Sequence, residues 1–242
     1  MGISLNPCHF LVHTKGPLGR TLTLGRQDNN FPRDEALLRR VFASAGREAN
    51  FAAILGDRTA DTLLRMLGAT EVHAMDVSAF EGAGFVHDLN EPIPASWAGQ
   101  FDTVIDGGTL EHVYHLPNAF ENIARLIRVG GRFIGISPAN NWLGHGFFQF
   151  SPELMWRFCK GFGFQVHRID CYARYGFPQP DPIPYTDQVR QRLEMSTPPH
   201  KIDLMTDATK VAEHYPKRLY QSDYVSRWNA AEPDGTPRSN AR

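Results

Sequence analysis

The amino-acid sequence predicts an α/β fold in which a mostly parallel sheet carries helices on both faces. Short β-branched, apolar segments alternate with amphipathic helical segments along most of the chain. Aspartate, asparagine, glycine and histidine are concentrated just after the predicted strands, where proteins of this class bind their ligands. With 242 residues, of which 42% are hydrophobic, the chain is long enough for one sizeable core.

The first half of the chain begins with a strand and two helices. Helices are predicted over 33–42 and 58–67 because apolar residues recur there at helical spacing, and Gly68 is typical of a C-terminal cap. Strands are predicted from their β-branched and apolar composition over residues 21–25, 71–76, 85–88 and 101–106.

The second half continues the alternation. A helix over 118–127 is broken by Gly130 and Gly131, and further elements follow as a strand over 132–137, a helix over 152–159, a strand over 163–169 and a helix over 203–215. We assign residues 1–175 to the α/β domain and 176–229 to a proline-rich arm (177–185) with a C-terminal helical extension of the same domain. The polar tail 230–242 is predicted to be disordered.

The composition of the chain indicates which classes of partner it would bind and in which cellular compartment it would be found. A net charge of -1, with basic residues scattered, does not favour nucleic acid as a partner. No apolar run of about 18 residues predicts a membrane span, and no signal peptide is apparent. Three cysteines without a C-x-x-C pair favour a reducing cytoplasm. The oligomeric state cannot be inferred from the sequence.

One run of residues carries a resemblance to a known family. Phe101-Asp-Thr-Val-Ile-Asp-Gly-Gly-Thr-Leu-Glu-His-Val113 resembles the fourth motif of class I S-adenosylmethionine (SAM) methyltransferases. Arg125-Leu-Ile-Arg-Val-Gly-Gly resembles the turn before the family's fifth strand, with Val129 in place of proline, and Gly161-Phe-Gly-Phe resembles its late glycine-phenylalanine turn. The resemblance covers roughly residues 20–170. It implies a Rossmann-like fold, SAM as cofactor and methyl transfer as the activity.

The resemblance also implies a set of cofactor-binding residues. Asp76 would accept hydrogen bonds from the ribose hydroxyls, and Asp88 would accept one from the adenine amino group while Leu89 packs on the ring. The ordinary alternative is that both acids cap turns or helices. The full predicted set is Gly25, Gln27, Asp76, Ser78, Asp88, Leu89, Asp106, Gly107 and Gly108.

The loop after the first strand departs from the family pattern. The family has several glycines there, which let the backbone approach the methionine part of SAM, and only Gly25 remains. Asp76 also follows much later than the usual roughly twenty residues, so an extra helical insert is expected. Either the loop binds SAM in an altered way, through Gln27 or Asp28, or the chain is a non-catalytic binding or scaffold protein. A dinucleotide-dependent enzyme is a third alternative, which the lack of a G-x-G-x-x-G motif disfavours.

Candidate catalytic residues lie in two segments. Glu111 and His112 follow the fourth strand, where a histidine could remove the proton of an acceptor hydroxyl, although a capping or packing role is the alternative. His145 lies in the segment 137–152, in which amides alternate with aromatic rings. That mixture suits a small polar or saccharide acceptor methylated at oxygen, and a packed loop is the alternative. The segment's other candidate residues are Asn140, Asn141, Trp142, Phe147, Phe148 and Gln149.

Histidine spacing predicts no metal site. His9 and His13 are four residues apart and His112 and His115 three apart, but neither pair forms an H-E-x-x-H motif and no cysteine accompanies them.

Overall fold

A computed structural model describes residues 2–174, 183–185 and 200–230. Most of its strands belong to one sheet. The strands are β1 (Gly2–Ile3), β2 (Gly19–Leu24), β3 (Asp28–Asn29), β4 (Ala69–Asp76), β5 (Phe85–Val86), β6 (Phe101–Asp106), β7 (Ile127–Asn140), β8 (Phe164–Ala173), β9 (Ile183–Pro184) and β10 (Ile202–Lys210). The helices are α1 (Leu5–Val12), α2 (Glu35–Ala43), α3 (Phe51–Gly56), α4 (Asp61–Met66), α5 (Leu116–Leu126), α6 (Pro152–Gly161) and α7 (Ser222–Ala230), with short 3-10 turns at Ala95–Trp97 and Leu110–His112.

The central sheet has eight strands in the order β5-β4-β2-β6-β7-β10-β8-β9. The first five are parallel to one another, and β10 runs antiparallel to both of its neighbours, β7 and β8. Two short strands, β1 and β3, form a separate parallel pair. The sheet is therefore mostly parallel, and the predicted fold class is confirmed.

Helices cover both faces of the sheet. Because successive side chains of a strand point to opposite faces, neighbouring residues of one strand pack against different helices. Val104 packs in a core with Phe120 of α5 and Phe158 of α6. Its neighbour Ile105 packs on the other face, in a core that includes Leu38 of α2. The fully parallel strands thus read as continuous apolar runs, which is typical of sheets buried on both sides.

Side-chain caps determine where several helices begin. Asp34 accepts a hydrogen bond from the amide of Leu37 at the start of α2, and Ser151 accepts one from Leu154 at the start of α6. Proline occupies the first turn of both α5 and α6, where its missing N–H has no helical partner.

The helix predicted over 203–215 is wrong, because residues 202–210 form β10. The spacing of the apolar residues Leu204, Met205 and Ala208 is compatible with a helix and with a strand. The backbone N–H and C=O groups of this segment form hydrogen bonds with β7 on one side and with β8 on the other, and not within a helix. Its acids are paired where the strand is buried. Asp203 lies 2.5 Å from Nε of Arg174, and Asp207 lies 2.6 Å from Nε of Arg132.

The insert expected between Gly25 and Asp76 is present. It consists of α2, α3 and α4, of which α3 was not predicted, and α4 begins at Asp61, later than predicted. Most of the proline-rich arm lies outside the described residues, and its final part forms β9 against β8. The tail after Ala230 also lies outside them. Within the described ranges, no helix is long and apolar enough to cross a membrane.

Candidate functional site

Strand register brings the predicted cofactor residues to one edge of the sheet. Leu24, the last residue of β2, is aligned with Met75 of β4 on one side and with Asp106 of β6 on the other. Asp76 is aligned in turn with Val86 at the end of β5. The loops that follow these four strands therefore begin side by side, as expected for ligand loops at the carboxyl edge of a parallel sheet.

The buried side chain of Gln27 packs between the loops that follow β2 and β6. Gly25 has a positive φ of 68° and its amide bonds the carbonyl of Met75 at 2.7 Å. The Gln27 side chain is buried, and its Nε2 donates to the carbonyl of Leu24 at 3.0 Å. Its Oε1 has no hydrogen-bond partner and lies over Gly107, where an added Cβ would approach it to 2.2 Å. A ligand that enters here with an N–H or O–H group would supply the donor that Oε1 lacks.

Asp106 stabilises the loop that carries the candidate catalytic residues. Its carboxylate is fully buried, and Oδ1 accepts hydrogen bonds from the amides of Thr109 at 2.8 Å and Leu110 at 3.3 Å. Burial raises the pKa of Asp106, although these amide hydrogen bonds oppose the shift. Its hydrogen bonds thus hold the segment at which the turn Leu110–His112 begins, and its direct contact with a cofactor stays a prediction.

The remaining predicted cofactor residues surround the ends of β4 and β5. Asp76 is half-buried and accepts a hydrogen bond from the amide of Val77, while Ser78 is exposed. Asp88 is exposed and accepts hydrogen bonds from the backbone and side-chain nitrogens of Asn90, which hold its pKa below the usual range. Leu89 is buried in the core, which leaves its side chain little surface for an adenine ring.

A cleft of about 480 Å³ lies beside this edge, and sequence reasoning did not find it. It is lined by Arg26, Asp28, Arg58, Thr59, Glu81 and Gly82. These residues come from the loops after β2 and β4 and from the loop before α4. Two exposed apolar side chains, Val77 and Phe80, lie in the same loop as Glu81, and Val86 is half exposed at the end of β5. The cleft therefore combines charge with nearby apolar surface.

The three predicted catalytic residues form one cluster. Glu111 is only 2% exposed, whereas the side chains of His112 and His145 are 46% and 44% exposed. Nε2 of His145 lies 3.4 Å from Oε1 of Glu111, and Nε2 of His112 lies 3.9 Å from the same oxygen. The two imidazole rings are 5.0 Å apart. A buried carboxylate is thus covered by two imidazoles that reach solvent.

The loop after β7 fixes this cluster through backbone contacts. The amide of Phe147 donates to the carbonyl of Glu111 at 2.7 Å, and that of Phe148 does so at 3.3 Å. Gly146 has a φ of 72°, and a Cβ there would meet the Glu111 carbonyl at 2.7 Å. Only glycine allows the loop to approach so closely.

Burial and like charges set the protonation of the cluster. Burial raises the pKa of Glu111, and the negative charges of Asp106 and Asp203 raise it further. Burial also lowers the pKa of His112, and the neighbouring His145 adds to that shift. The neutral imidazole, which can accept a proton, is the form that this environment favours at His112.

The amides of the candidate acceptor loop hold the loop together. Oε1 of Gln149 accepts from the amide of Trp142 at 3.0 Å, and Nδ2 of Asn141 donates to the carbonyl of His200 at 2.7 Å. Asn140 accepts from the amide of Asn141. Asn140, Asn141 and Gln149 are nevertheless exposed, as are the apolar side chains of Leu143 and Phe147. The amides therefore stabilise the loop, and the loop presents both polar and apolar side chains to solvent.

Sequence reasoning missed the charged side chains around Trp142. The guanidinium of Arg174 lies over the Trp142 ring at 4.5 Å and is paired with Asp203 of β10. Nζ of Lys201 lies 4.2 Å from the same ring. Asp203 was missed because the local pattern of its segment does not distinguish a helix from a strand.

A scan against protein-family models finds no match, and a search of curated proteins finds none either. Solved structures show similarity. A geranyl diphosphate methyltransferase in complex with SAM is 11% identical, with a TM-score of 0.49, over 85% of this chain and 85% of that one. A methyltransferase candidate from Bacillus halodurans is 10% identical, with a TM-score of 0.47, over 86% and 99% of the two chains. A Burkholderia thailandensis 1,6-didemethyltoxoflavin-N1-methyltransferase, with its substrate and S-adenosylhomocysteine bound, is 14% identical, with a TM-score of 0.44, over 85% and 77%.

Proposed function

We propose that this chain is a SAM-dependent methyltransferase that acts on a hydroxyl of a small polar molecule or saccharide. The observation that carries the proposal is the register at the carboxyl edge. The loops with Gly25, Asp76 and Asp106 begin on neighbouring strands, and the Glu111 cluster follows directly after Asp106. A cofactor on the first group of loops would lie next to the cluster, which is the arrangement that transfer between two bound molecules requires.

SAM would bind at the loops after β2, β4 and β5. The half-buried carboxylate of Asp76 would accept hydrogen bonds from the ribose hydroxyls. The orphaned Oε1 of Gln27 would accept from the amino group of the methionine part, in place of the contacts that a glycine-rich loop makes. Val86, at the end of β5, and Phe80, in the loop after β4, are exposed apolar side chains on which the adenine ring would pack.

The acceptor would bind over the loop after β7. Leu143 and Phe147 expose apolar surface, and His145 lies against Trp142 with their rings 4.9 Å apart. Aromatic faces with one polar group between them suit the apolar face and the hydroxyl of a sugar-like molecule. The exposed imidazoles would then point their nitrogens at the acceptor hydroxyl.

The chemistry is a single displacement. A lone pair of the acceptor oxygen forms a bond to the methyl carbon, and the bond from that carbon to the sulfonium sulfur breaks, which leaves S-adenosylhomocysteine. The hydroxyl proton would pass to an imidazole of the cluster, and Glu111, in its ionised form, would stabilise the resulting positive charge. The burial of Glu111 keeps this carboxylate away from bulk water, where its effect would be weaker.

Calorimetric titration with SAM and with S-adenosylhomocysteine tests the cofactor. We expect binding of both ligands by the full chain, with the affinity lowered by about 10- to 100-fold in Asp76→Asn, because the amide keeps one acceptor oxygen and its NH₂ group cannot accept from the second hydroxyl. Glu91→Gln removes an exposed carboxylate elsewhere in the same region and should bind as the unaltered chain does. A folded protein that binds neither ligand at millimolar concentration would instead favour a scaffold role.

A further inference from the structure

Glu111, His112 and His145 have the composition of a metal site. Each offers one ligand atom, and no two of these atoms are more than 4.8 Å apart. In a tetrahedral site with ligand bonds of about 2.0 Å, ligand atoms lie about 3.3 Å from one another. Two of the separations, 3.4 Å and 3.9 Å, are already close to that value. Small rotations of two exposed imidazoles would complete the geometry.

The buried carboxylate lacks the partners that its environment requires. Oε2 of Glu111 is buried and makes no hydrogen bond, and among the described residues Glu111 forms no ion pair with a lysine or an arginine. The contact with His145 is at the outer limit of hydrogen-bond distance, and the one with His112 is beyond it. Burying a carboxylate without a counter-charge is costly. A cation between the three side chains would provide that charge.

The cluster is accessible to an ion from solvent. The side chains of His112 and His145 are 46% and 44% exposed, so an ion would have an open path to the carboxyl group beneath them. The guanidinium of Arg174 is already paired with Asp203, at 2.5 Å, and does not supply a counter-charge to Glu111.

We propose that Glu111, His112 and His145 bind a divalent transition-metal ion. Two imidazoles and one carboxylate suit zinc or iron(II), whereas magnesium and calcium favour sites built from oxygen ligands alone. Three protein ligands leave at least one coordination position open, which is the pattern of catalytic rather than structural zinc sites. Because both imidazoles are partly exposed, the open position would be accessible from solvent.

The role of the ion rests on the proposed methyl transfer, but its binding does not. An acceptor hydroxyl that takes the open position would lose its proton more readily, because a bound cation lowers the pKa of an oxygen ligand. The proton would leave to solvent or to a buffer base, and the resulting alkoxide would attack the methyl carbon. Without the ion, an imidazole would have to take the proton itself.

Metal binding can be measured directly on the full chain. After treatment with EDTA and its removal, calorimetric titration with ZnCl₂ should show one ion per chain, and CoCl₂ should give the visible absorption of a four- or five-coordinate site. Glu111→Gln and His145→Ala should each weaken zinc binding by roughly 100-fold or more, since even outer partners of a metal ligand contribute 10- to 100-fold. His167→Ala removes an exposed imidazole on β8 and should have no effect.

The outcomes separate this inference from the proposed function. Zinc affinity that is equal in the unaltered chain, Glu111→Gln and His145→Ala would overturn the metal site, whatever the result with SAM. Circular dichroism of each variant shows whether a loss of binding reflects unfolding. His112→Ala tests the third proposed ligand independently and should also weaken zinc binding. Stoichiometric zinc binding that depends on the cluster, in a chain that does not bind SAM, would support the metal site and contradict the methyltransferase.

Discussion

Nε2 of His145 lies 3.4 Å from Oε1 of Glu111, although α5 and the whole of β7 separate the two residues in the chain. The contact is reinforced by the backbone, because the amide of Phe147 donates to the carbonyl of Glu111. The loop after β6 and the loop after β7 are therefore joined where the Glu111 carboxyl group is buried beneath two exposed imidazoles. A substitution at His145 or at Glu111 should therefore alter the position of the other side chain.

Glu111→Gln should reduce turnover and leave the affinity for SAM unchanged. The amide can neither stabilise a protonated imidazole nor serve as an anionic ligand, so we expect turnover to fall by about 10²- to 10⁴-fold. The measurement is release of S-adenosylhomocysteine with an acceptor found by screening polar hydroxyl compounds, beside calorimetry with SAM alone. His145→Asn should behave in the same way. A loss of SAM affinity as large as the loss of turnover would place Glu111 in the cofactor site instead.

Gly107→Ala should displace Gln27 and destabilise the fold. The new Cβ would lie 2.2 Å from Oε1 of a buried side chain, and we expect the free energy of unfolding to fall by about 1–3 kcal/mol. In the double variant Gln27→Ala with Gly107→Ala, the smaller side chain removes the clash, so part of that stability should return. Urea denaturation of the four proteins measures the coupling. Strictly additive penalties would show that the two residues do not compete for the same space.

Much of the fold was predictable because its parallel strands are locally encoded. The prediction for 101–106 agrees with the observed β6, since its apolar and β-branched middle is buried on both faces. Residues 202–210 were predicted as helix because their pattern does not distinguish the two structures, and only the long-range pairing with β7 and β8 decides between them. An antiparallel strand that pairs with two distant segments leaves little trace in local periodicity.

The site was only partly predictable, for a similar reason. Glu111 and His112 are adjacent in sequence, but the sequence alone does not show that His145 returns to the same carboxylate. The prediction that no metal binds rested on the spacing of histidine pairs close in sequence, which cannot detect a cluster formed across two loops; it stays a prediction. Asp106 and Leu89 have the right residue types for ligand contacts, yet burial turns one toward its own loop and the other toward the core.

Lys210→Met should destabilise the protein strongly. The Lys210 side chain is fully buried, and its Nζ donates to the carbonyls of Ala124 at 2.6 Å and Ile127 at 2.8 Å, at the end of α5. The carbonyls of a last helical turn have no partner within the helix, so methionine would leave them unsatisfied. We expect a loss of about 2–5 kcal/mol in urea denaturation. Lys217→Met, at an exposed lysine, is the matched control and should be close to neutral.

Asp57→Asn should cost stability at neutral pH but not in acid. Burial acts to raise the pKa of Asp57, but hydrogen bonds from the side chains and amides of Thr62 and Thr59 outweigh it and lower the pKa below 3.8. Because the pKa is depressed in the folded state, the stabilisation is present above 3.8 and is lost as the pH falls through the folded value. We expect a penalty of about 1 kcal/mol at pH 7, as for the loss of a capping carboxylate.

Thermal unfolding of the unaltered chain and of Asp57→Asn, between neutral and strongly acidic pH, measures the difference in stability between them. Glu91→Gln changes an exposed carboxylate and should show no comparable dependence on pH. Since Asp57 holds the loop that contributes Arg58 and Thr59 to the cleft, Asp57→Asn should also weaken any ligand bound there. If that difference in stability persisted unchanged in acid, Asp57 would act through its shape and hydrogen bonds, and not through its charge.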